Sequence, residues 1–305
     1  MAGVLFLMVL LSGCATPQVS ALRANAPGSL PQQVELATVP FFPQEEYQCG
    51  PAALATILVH GGVATTPAAL VPQVYLPGRE GSLQAEMLAA ARRHGRLAYR
   101  LAPRLEDVLL EVAAGNPVVV LQNLAFAFAP VWHYAVVIGY DRGREEIILR
   151  SGTTRSLVMT FSTFERTWAR GAHWAMVALP PQQLPATATE TDHVAAAVAL
   201  ERVSVDGARQ AYAAALEKWP GNLAALIGAG NAAYALKDLP AAEIAYRQAT
   251  IDHPRSGDAW NNLAQTRFEL GRRNEALIAA QRAVALGGPR LAQYQATLKT
   301  IAATP

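Results

Sequence analysis

One thiol and one histidine set the chemistry this chain can offer. Cys49 stands in the run Gln44-Glu45-Glu46-Tyr47-Gln48-Cys49-Gly50-Pro51-Ala52-Ala53-Leu54. Pro51 suits the first turn of a helix, where the N–H it lacks would have had no intrahelical partner. Ala52 to Val59 then reads as a buried helix stopped by Gly61-Gly62, which puts Cys49 at the helix N-terminus. The helix dipole and the free N–H groups there favour an anion. Such a placement lowers a thiol pKa from about 8.5 toward the range of functional thiolates. His133 follows far downstream, at the start of the apolar run Trp132-His133-Tyr134-Ala135-Val136-Val137-Ile138-Gly139-Tyr140-Asp141. A histidine at the mouth of a strand, met by a helix-capping cysteine, is what cysteine catalysis needs. It is a base that holds the thiolate and later protonates the leaving amine. Taken singly, each residue reads equally well as a structural side chain.

The surrounding elements are those that would bring the two together. Strand and helix signals mix from Val39 to Leu179, with Val118-Val119-Val120-Leu121 a second buried strand. Ser82 reads as the N-cap of a helix over Leu83–His94, and Arg92-Arg93 as its solvated face. Trp168 and His173-Trp174 fit a helix and a last strand that close the domain by core packing. The loop Leu124-Ala125-Phe126-Ala127-Phe128-Ala129-Pro130, just before His133, either lines a substrate cleft or forms a buried edge.

In order and spacing these segments resemble the bacteriocin-processing cysteine peptidases and their wider peptidase thirty-nine-like relatives in the papain clan. The matching pieces are Gln44, Tyr47-Gln48-Cys49-Gly50-Pro51-Ala52-Ala53-Leu54, Gly78-Arg79-Glu80-Gly81-Ser82, Gly115-Asn116-Pro117-Val118-Val119-Val120 and His133 to Asp141, within roughly residues 36–180. The resemblance implies an α+β papain-like domain in which a central helix packs on an antiparallel sheet. It implies a peptide or protein substrate cleaved through an acyl-enzyme, with Cys49 as nucleophile and His133 as base. Gln44 becomes the oxyanion donor, joining the Cys49 N–H in an arrangement typically worth a few kcal/mol to the transition state; Gln48 is its rival. One feature departs from the family. An Asp is expected at the end of the strand after the histidine strand, but Ile147-Ile148-Leu149 ends in Arg150-Ser151-Gly152. Asp141 lies at the far end of the histidine strand, roughly 26 Å from His133 at about 3.3 Å per residue, and reads as a turn residue. Ser151 or Asn123 is left to orient His133. Amidase or transglutaminase chemistry would use the same dyad. A non-catalytic, peptide-binding adaptor is the reading the absent Asp favours.

The N-terminus points to export. Gly3 to Leu11 is an apolar run too short for a bilayer span, which needs roughly 20 residues. It ends in Leu11-Ser12-Gly13-Cys14, which resembles the bacterial lipobox. That resemblance implies that residues 1–13 are a signal peptide and that Cys14 carries lipid, anchoring the protein to a membrane of the cell envelope. Met1-Ala2 lacks the usual basic residues, and Ala15 rather than Asp follows the cysteine, which favours the outer membrane facing the periplasm. Residues 14–36, rich in Pro, Ala, Ser and Gln, read as a tether. With Cys14 acylated, Cys49 is the only free thiol of the two cysteines.

After residues 37–180, a Pro/Gln/Thr-rich linker (181–190) leads into an Ala-rich helical stretch, 191–305. Tyr212, Ala215 and Pro220 return one interval later as Tyr246, Ala249 and Pro254, and again, weakened, as Ala280, Ala283 and Gly288. Ala208, Ala242 and Ala276 keep the same register. The first helices of two units carry Leu226, Ala229 and Gly230, then Trp260, Leu263 and Ala264. A period of about 34 residues, with small residues where helices cross, is the tetratricopeptide signature. It arises because a helix pair that cannot bury its apolar face alone must stack on a neighbour. Two full units behind a degenerate one (about 190–222) make an all-α solenoid that offers a protein partner a groove. Composition narrows the rest. At 52% apolar and 16% charged residues the chain is no disordered polymer. Its net charge of +2, with scattered Arg, gives no nucleic-acid surface. Two cysteines and six histidines without ligand spacing imply no metal or other cofactor.

Overall fold

The computed structural model describes residues 16–44 and 48–303. They fall into two compact units: one runs to Leu179 apart from 95–97 and includes 185–187, and the other holds the remainder.

The first unit begins with α1 (Pro17–Asn25) and β1 (Gln33–Glu35), followed by α2 (Cys49–His60), α3 (Pro67–Val74), β2 (Tyr75–Leu76), β3 (Gly81–Ser82) and α4 (Gln84–Arg93). Then come β4 (Leu97–Arg100), α5 (Leu105–Ala113), β5 (Val118–Asn123), β6 (Trp132–Asp141), β7 (Glu146–Ser151), β8 (Thr154–Thr160), α6 (Phe161–Arg170) and β9 (Ala175–Leu179). The sheet order is β4-β9-β5-β6-β7-β8, with β1 also on β6. The β5–β6, β5–β9, β6–β7 and β7–β8 pairs are all antiparallel. The helix α2 is the core of this unit, because Gly50 to Leu58 are all buried. Its small residues let it lie close to the sheet, where Ala53, Leu54, Ile57 and Leu58 pack with Val119, Leu121, Tyr134, Val136 and Ile138. This is the α+β, papain-like arrangement expected.

Three sequence readings need correction. Residues 17–36 are no free tether. The N–H groups of Gln18 and Val19, unsatisfied at the start of α1, donate to the two carboxylate oxygens of Glu165 at 3.0 and 2.8 Å. Val19 is buried, and β1 pairs with β6 at Gln33–Asp141 and Glu35–Gly139. The linker is likewise pinned, since the N–H and hydroxyl of Thr187 donate to Glu111 at 2.8 and 2.7 Å. Ser82 also differs from expectation. It belongs to β3, and α4 starts after Leu83 without a side-chain cap. Asp141 is the turn residue anticipated, its Oδ1 accepting from the N–H groups of Gly143 and Arg144.

The second unit is wholly helical: α7 (Glu190–Glu201), α8 (Val205–Lys218), α9 (Leu223–Ala235), α10 (Leu239–Asp252), α11 (Gly257–Glu269), α12 (Arg273–Leu286) and α13 (Leu291–Ala303). Helices start at Val205, Leu239 and Arg273, and again at Leu223, Gly257 and Leu291, so both series advance by the same constant interval. Asn222 and Ser256, one period apart, each cap a helix by accepting the N–H three residues on. Small residues set how close the helices come. A Cβ on Gly230 would lie 2.4 Å from the Tyr246 ring, so only glycine admits that buried tyrosine. The leading segment, read as degenerate, is a regular helix pair capped by Thr189 and Ser204.

Candidate active site

Cys49 opens α2, its side chain partly buried against the core. The main-chain N–H groups of Tyr134, Gly50 and Cys49 itself are directed at the sulfur and stabilise its anion. Burial opposes them and prevails, so the thiol is pushed above its ordinary value. Local sequence explains the approach. Pro51 takes the first turn, and a Cβ on Gly50 would lie 2.2 Å from Ser82 Oγ, so only glycine lets β3 pass this close. The Tyr134 hydroxyl donates to Ser82 O at 3.1 Å, tying β6 to β3. Burial first, and the Cys49 charge second, push the Tyr134 phenol well above its ordinary value.

The sulfur therefore rests beside the amide that follows His133. The His133 ring is largely enclosed, and burial lowers its pKa. Its Nε2 is 2.8 Å from Ser151 Oγ, which leaves Nδ1 as the nitrogen free to exchange a proton with a sulfur. No hydrogen bond joins the ring to Sγ among the described residues. Both shifts point the same way: the thiol is raised and the imidazole lowered, so the pair rests uncharged at neutral pH.

Gln44 comes to the same rim. Its N–H donates to Gly152 O at 3.1 Å, next to Ser151. Gln48 precedes α2 and makes no side-chain cap. Asn123 is otherwise engaged. Its Oδ1 accepts from Ala125 and Val131 N–H, both at 3.0 Å, and its Nδ2 donates to Phe126 O at 3.3 Å. Of the two candidate orienters, only Ser151 reaches the imidazole. Cys14 lies outside the described residues. The Tyr134 N–H beside the sulfur was not anticipated, and no side-chain pattern could have signalled a main-chain donor.

Comparison with known proteins bears on this unit alone. Residues 36–175 match the model of the Peptidase_C39 like family. Among solved structures, a candidate C39-like peptidase from Bacillus anthracis is 20% identical, with 49% of this chain and 98% of that chain covered at a TM-score of 0.40. The double glycine motif protease of an AMS/PCAT transporter, solved with its leader peptide, is 19% identical over 47% of this chain and 91% of its own (TM-score 0.36). The peptidase domain of Streptococcus ComA, a bifunctional ABC transporter of a quorum-sensing pathway, is 20% identical over 46% and 98% (TM-score 0.37). No curated protein matches the chain. The unit that carries Cys49 and His133 is a C39-like peptidase domain.

Proposed function

We propose that this chain is a cysteine peptidase of the bacterial cell envelope, held to a membrane by lipid on Cys14, probing a protein partner with its helical repeats. One observation carries the catalytic reading: the Cys49 sulfur lies against the Tyr134 amide, while the neighbouring His133 is held through Nε2 by Ser151. On approach of a peptide, Sγ attacks the carbonyl carbon and passes its proton to His133 Nδ1. The imidazolium returns that proton to the departing amine. Water then attacks the thioester with His133 as base, freeing the acid and the thiol. The Cys49 N–H and the Gln44 side chain are the donors assigned to the oxyanion, and Ser151 is the positioning residue. A neutral hydroxyl stabilises an imidazolium less than a carboxylate does, so the rate is modest.

The regular recurrence of helix starts supports a tetratricopeptide-type array. The sequence Leu11-Ser12-Gly13-Cys14 supports the anchor. Among the described residues no helix is long and apolar enough to cross a membrane. A second reading, a peptide-binding adaptor without turnover, draws on the uncharged resting pair.

A thiol-directed probe decides between them. It should label the Cys14→Ser protein strongly, the Cys14→Ser/Cys49→Ala protein not at all, and the Cys14→Ser/His133→Ala protein weakly at neutral pH. Labelling indifferent to His133 at every pH, with no cleavage of a peptide library, leaves the adaptor.

A further inference from the structure

The connection from β5 to β6 has no charged or polar side chain from Leu124 through Val131. It is nonetheless ordered as a hairpin. The Leu124 N–H donates to Val131 O at 2.9 Å, the Ala129 N–H donates to Phe126 O at 3.2 Å, and Asn123 clasps the base. The Phe126 and Phe128 rings stack with centroids 5.3 Å apart, yet they are 68% and 85% exposed. Leu124, Val131 and Trp132 are exposed beside them. Five large apolar side chains on one tip are costly in water and mark a contact surface. Rings this exposed sit on a projection. A cleft for a peptide side chain would enclose them and would supply polar groups to fix its orientation. A projection fits a medium that deforms around it, and aromatic rings favour the membrane interface.

The path of the chain supplies the second observation. Leu101, just past β4, donates its N–H to Ala175 O, and Ala175 pairs with Val120. Residues 101–105 therefore lie at the sheet end where β5 runs into the hairpin. Gln18, at the start of α1, bonds there: its Nε2 donates to Pro103 O at 3.1 Å, and its Oε1 accepts from the Leu105 N–H. The other end of α1 is tied by Arg23 to Glu145, in the turn at the opposite end of β6. The chain thus enters the domain on the hairpin's side, and Cys14 is only two residues before Thr16. Arg170, exposed at the hairpin base, donates through Nε and Nη2 to Asn123 O at 3.1 and 2.8 Å. That sets a cation where lipid phosphates would lie.

We propose that the 124–132 hairpin inserts its aromatic tip into the lipid surface to which Cys14 is anchored, as a second membrane contact that holds the mouth of the active site beside the bilayer. The orientation rests on the lipid-anchor reading; the insertion is testable without it. The full chain carrying Cys14→Ser is mixed with phosphatidylethanolamine–phosphatidylglycerol vesicles containing lipid brominated near the headgroup. It should co-sediment with them, and Trp132→Phe should remove most of the bromine quenching. Adding Phe126→Ser and Phe128→Ser should cut vesicle binding by about tenfold or more, with an unchanged thermal melt because both side chains are exposed. Failure of the Cys14→Ser chain to bind, or equal binding by the double variant, overturns the proposal. So does unchanged vesicle binding with a raised KM for a soluble peptide, which assigns the hairpin to the substrate cleft. The anchor is judged separately, in cells: a Cys14→Ser, Phe126→Ser, Phe128→Ser chain that still fractionates with membranes removes the anchor, whatever the vesicles show.

Discussion

Each of the two units is held together internally by its own kind of contact. In the helical unit the polar bonds reach only to nearby helices, and the tyrosines that make them recur: Tyr212 bonds Glu201 and Tyr246 bonds Asn231, both at 2.8 Å, beside side-chain caps on successive helices. In the C39-like unit they are long-range closures. Cys49 meets Tyr134, Gln18 and Val19 meet Glu165, and the Arg150 guanidinium donates to Val39 O at 2.8 Å. The difference teaches where reactivity can be built. A repeat reproduces the same local environment, whereas only a closure between distant segments sets a thiol beside the amide that follows a histidine, and that histidine's ring against a hydroxyl.

The sharpest division should appear in catalysis. Cys49→Ala or His133→Ala should each lower peptide cleavage by about a thousandfold or more, with the thermal melt of both units kept. Equal losses from substitutions confined to residues 223–286 would break the contrast. In the opposite direction, Tyr246→Ala should cost the helical unit about 3–5 kcal/mol, the range for emptying a large aromatic site. Tyr246 is buried and wedged over Gly230. Hydrogen exchange should show α9 to α12 opening while Cys49 stays reactive to a thiol probe.

Ser151 tests the site from within. Removing its hydroxyl with Ser151→Ala forfeits a hydrogen bond worth about 1 kcal/mol, a roughly fivefold loss in the rate of Cys49 alkylation. Replacing it by Asp should act through charge. With a raised thiol and a lowered imidazole, the wild-type alkylation rate should climb with pH and stay below its plateau at neutrality. A carboxylate beside Nε2 favours the imidazolium, so the plateau should move to lower pH. An unmoved profile in Ser151→Asp would mean that Ser151 and Cys49 do not share a proton path.

Legibility followed the same division. The recurring helix starts could be read from Tyr212 and Tyr246 with their alanines, because local packing repeats in the sequence itself. Central helix α2 was legible from its apolar run and its Gly61 stop, and β6 from its own apolar run. The neighbourhood of Cys49 and His133 came only through resemblance, since nothing local to either segment encodes their meeting. The residues after Cys14 misled, because Pro- and Ala-rich composition reads as a tether until Glu165, far along the chain, satisfies the free N–H groups of α1. Asn123 and Ser151 could not be ranked from sequence for the same reason. Their difference lies in which partner each side chain had already taken.

The smallest effect concerns a histidine that has none of the access of His133. His193 is fully buried in α7. Its Nε2 donates to Ala211 O at 3.1 Å, and its Nδ1 has no partner. Burial lowers its pKa and the Lys218 charge adds to that, outweighing the Ala211 carbonyl. The folded state therefore holds His193 neutral below the ordinary value of about 6.5. The stability this confers is complete above that pH. It falls as pH drops from about 6.5 toward the folded-state pKa, because the unfolded chain takes the proton first, by at most about 1.4 kcal/mol per pH unit. His193→Gln keeps a donor for Ala211 O and removes the titration. Its melting, followed by the fluorescence of Trp219, whose ring lies 6.1 Å from that of His193, should be flatter between pH 5 and 6.5 than wild type. An unchanged slope would mean that acid loosens the helical unit through its surface carboxylates instead.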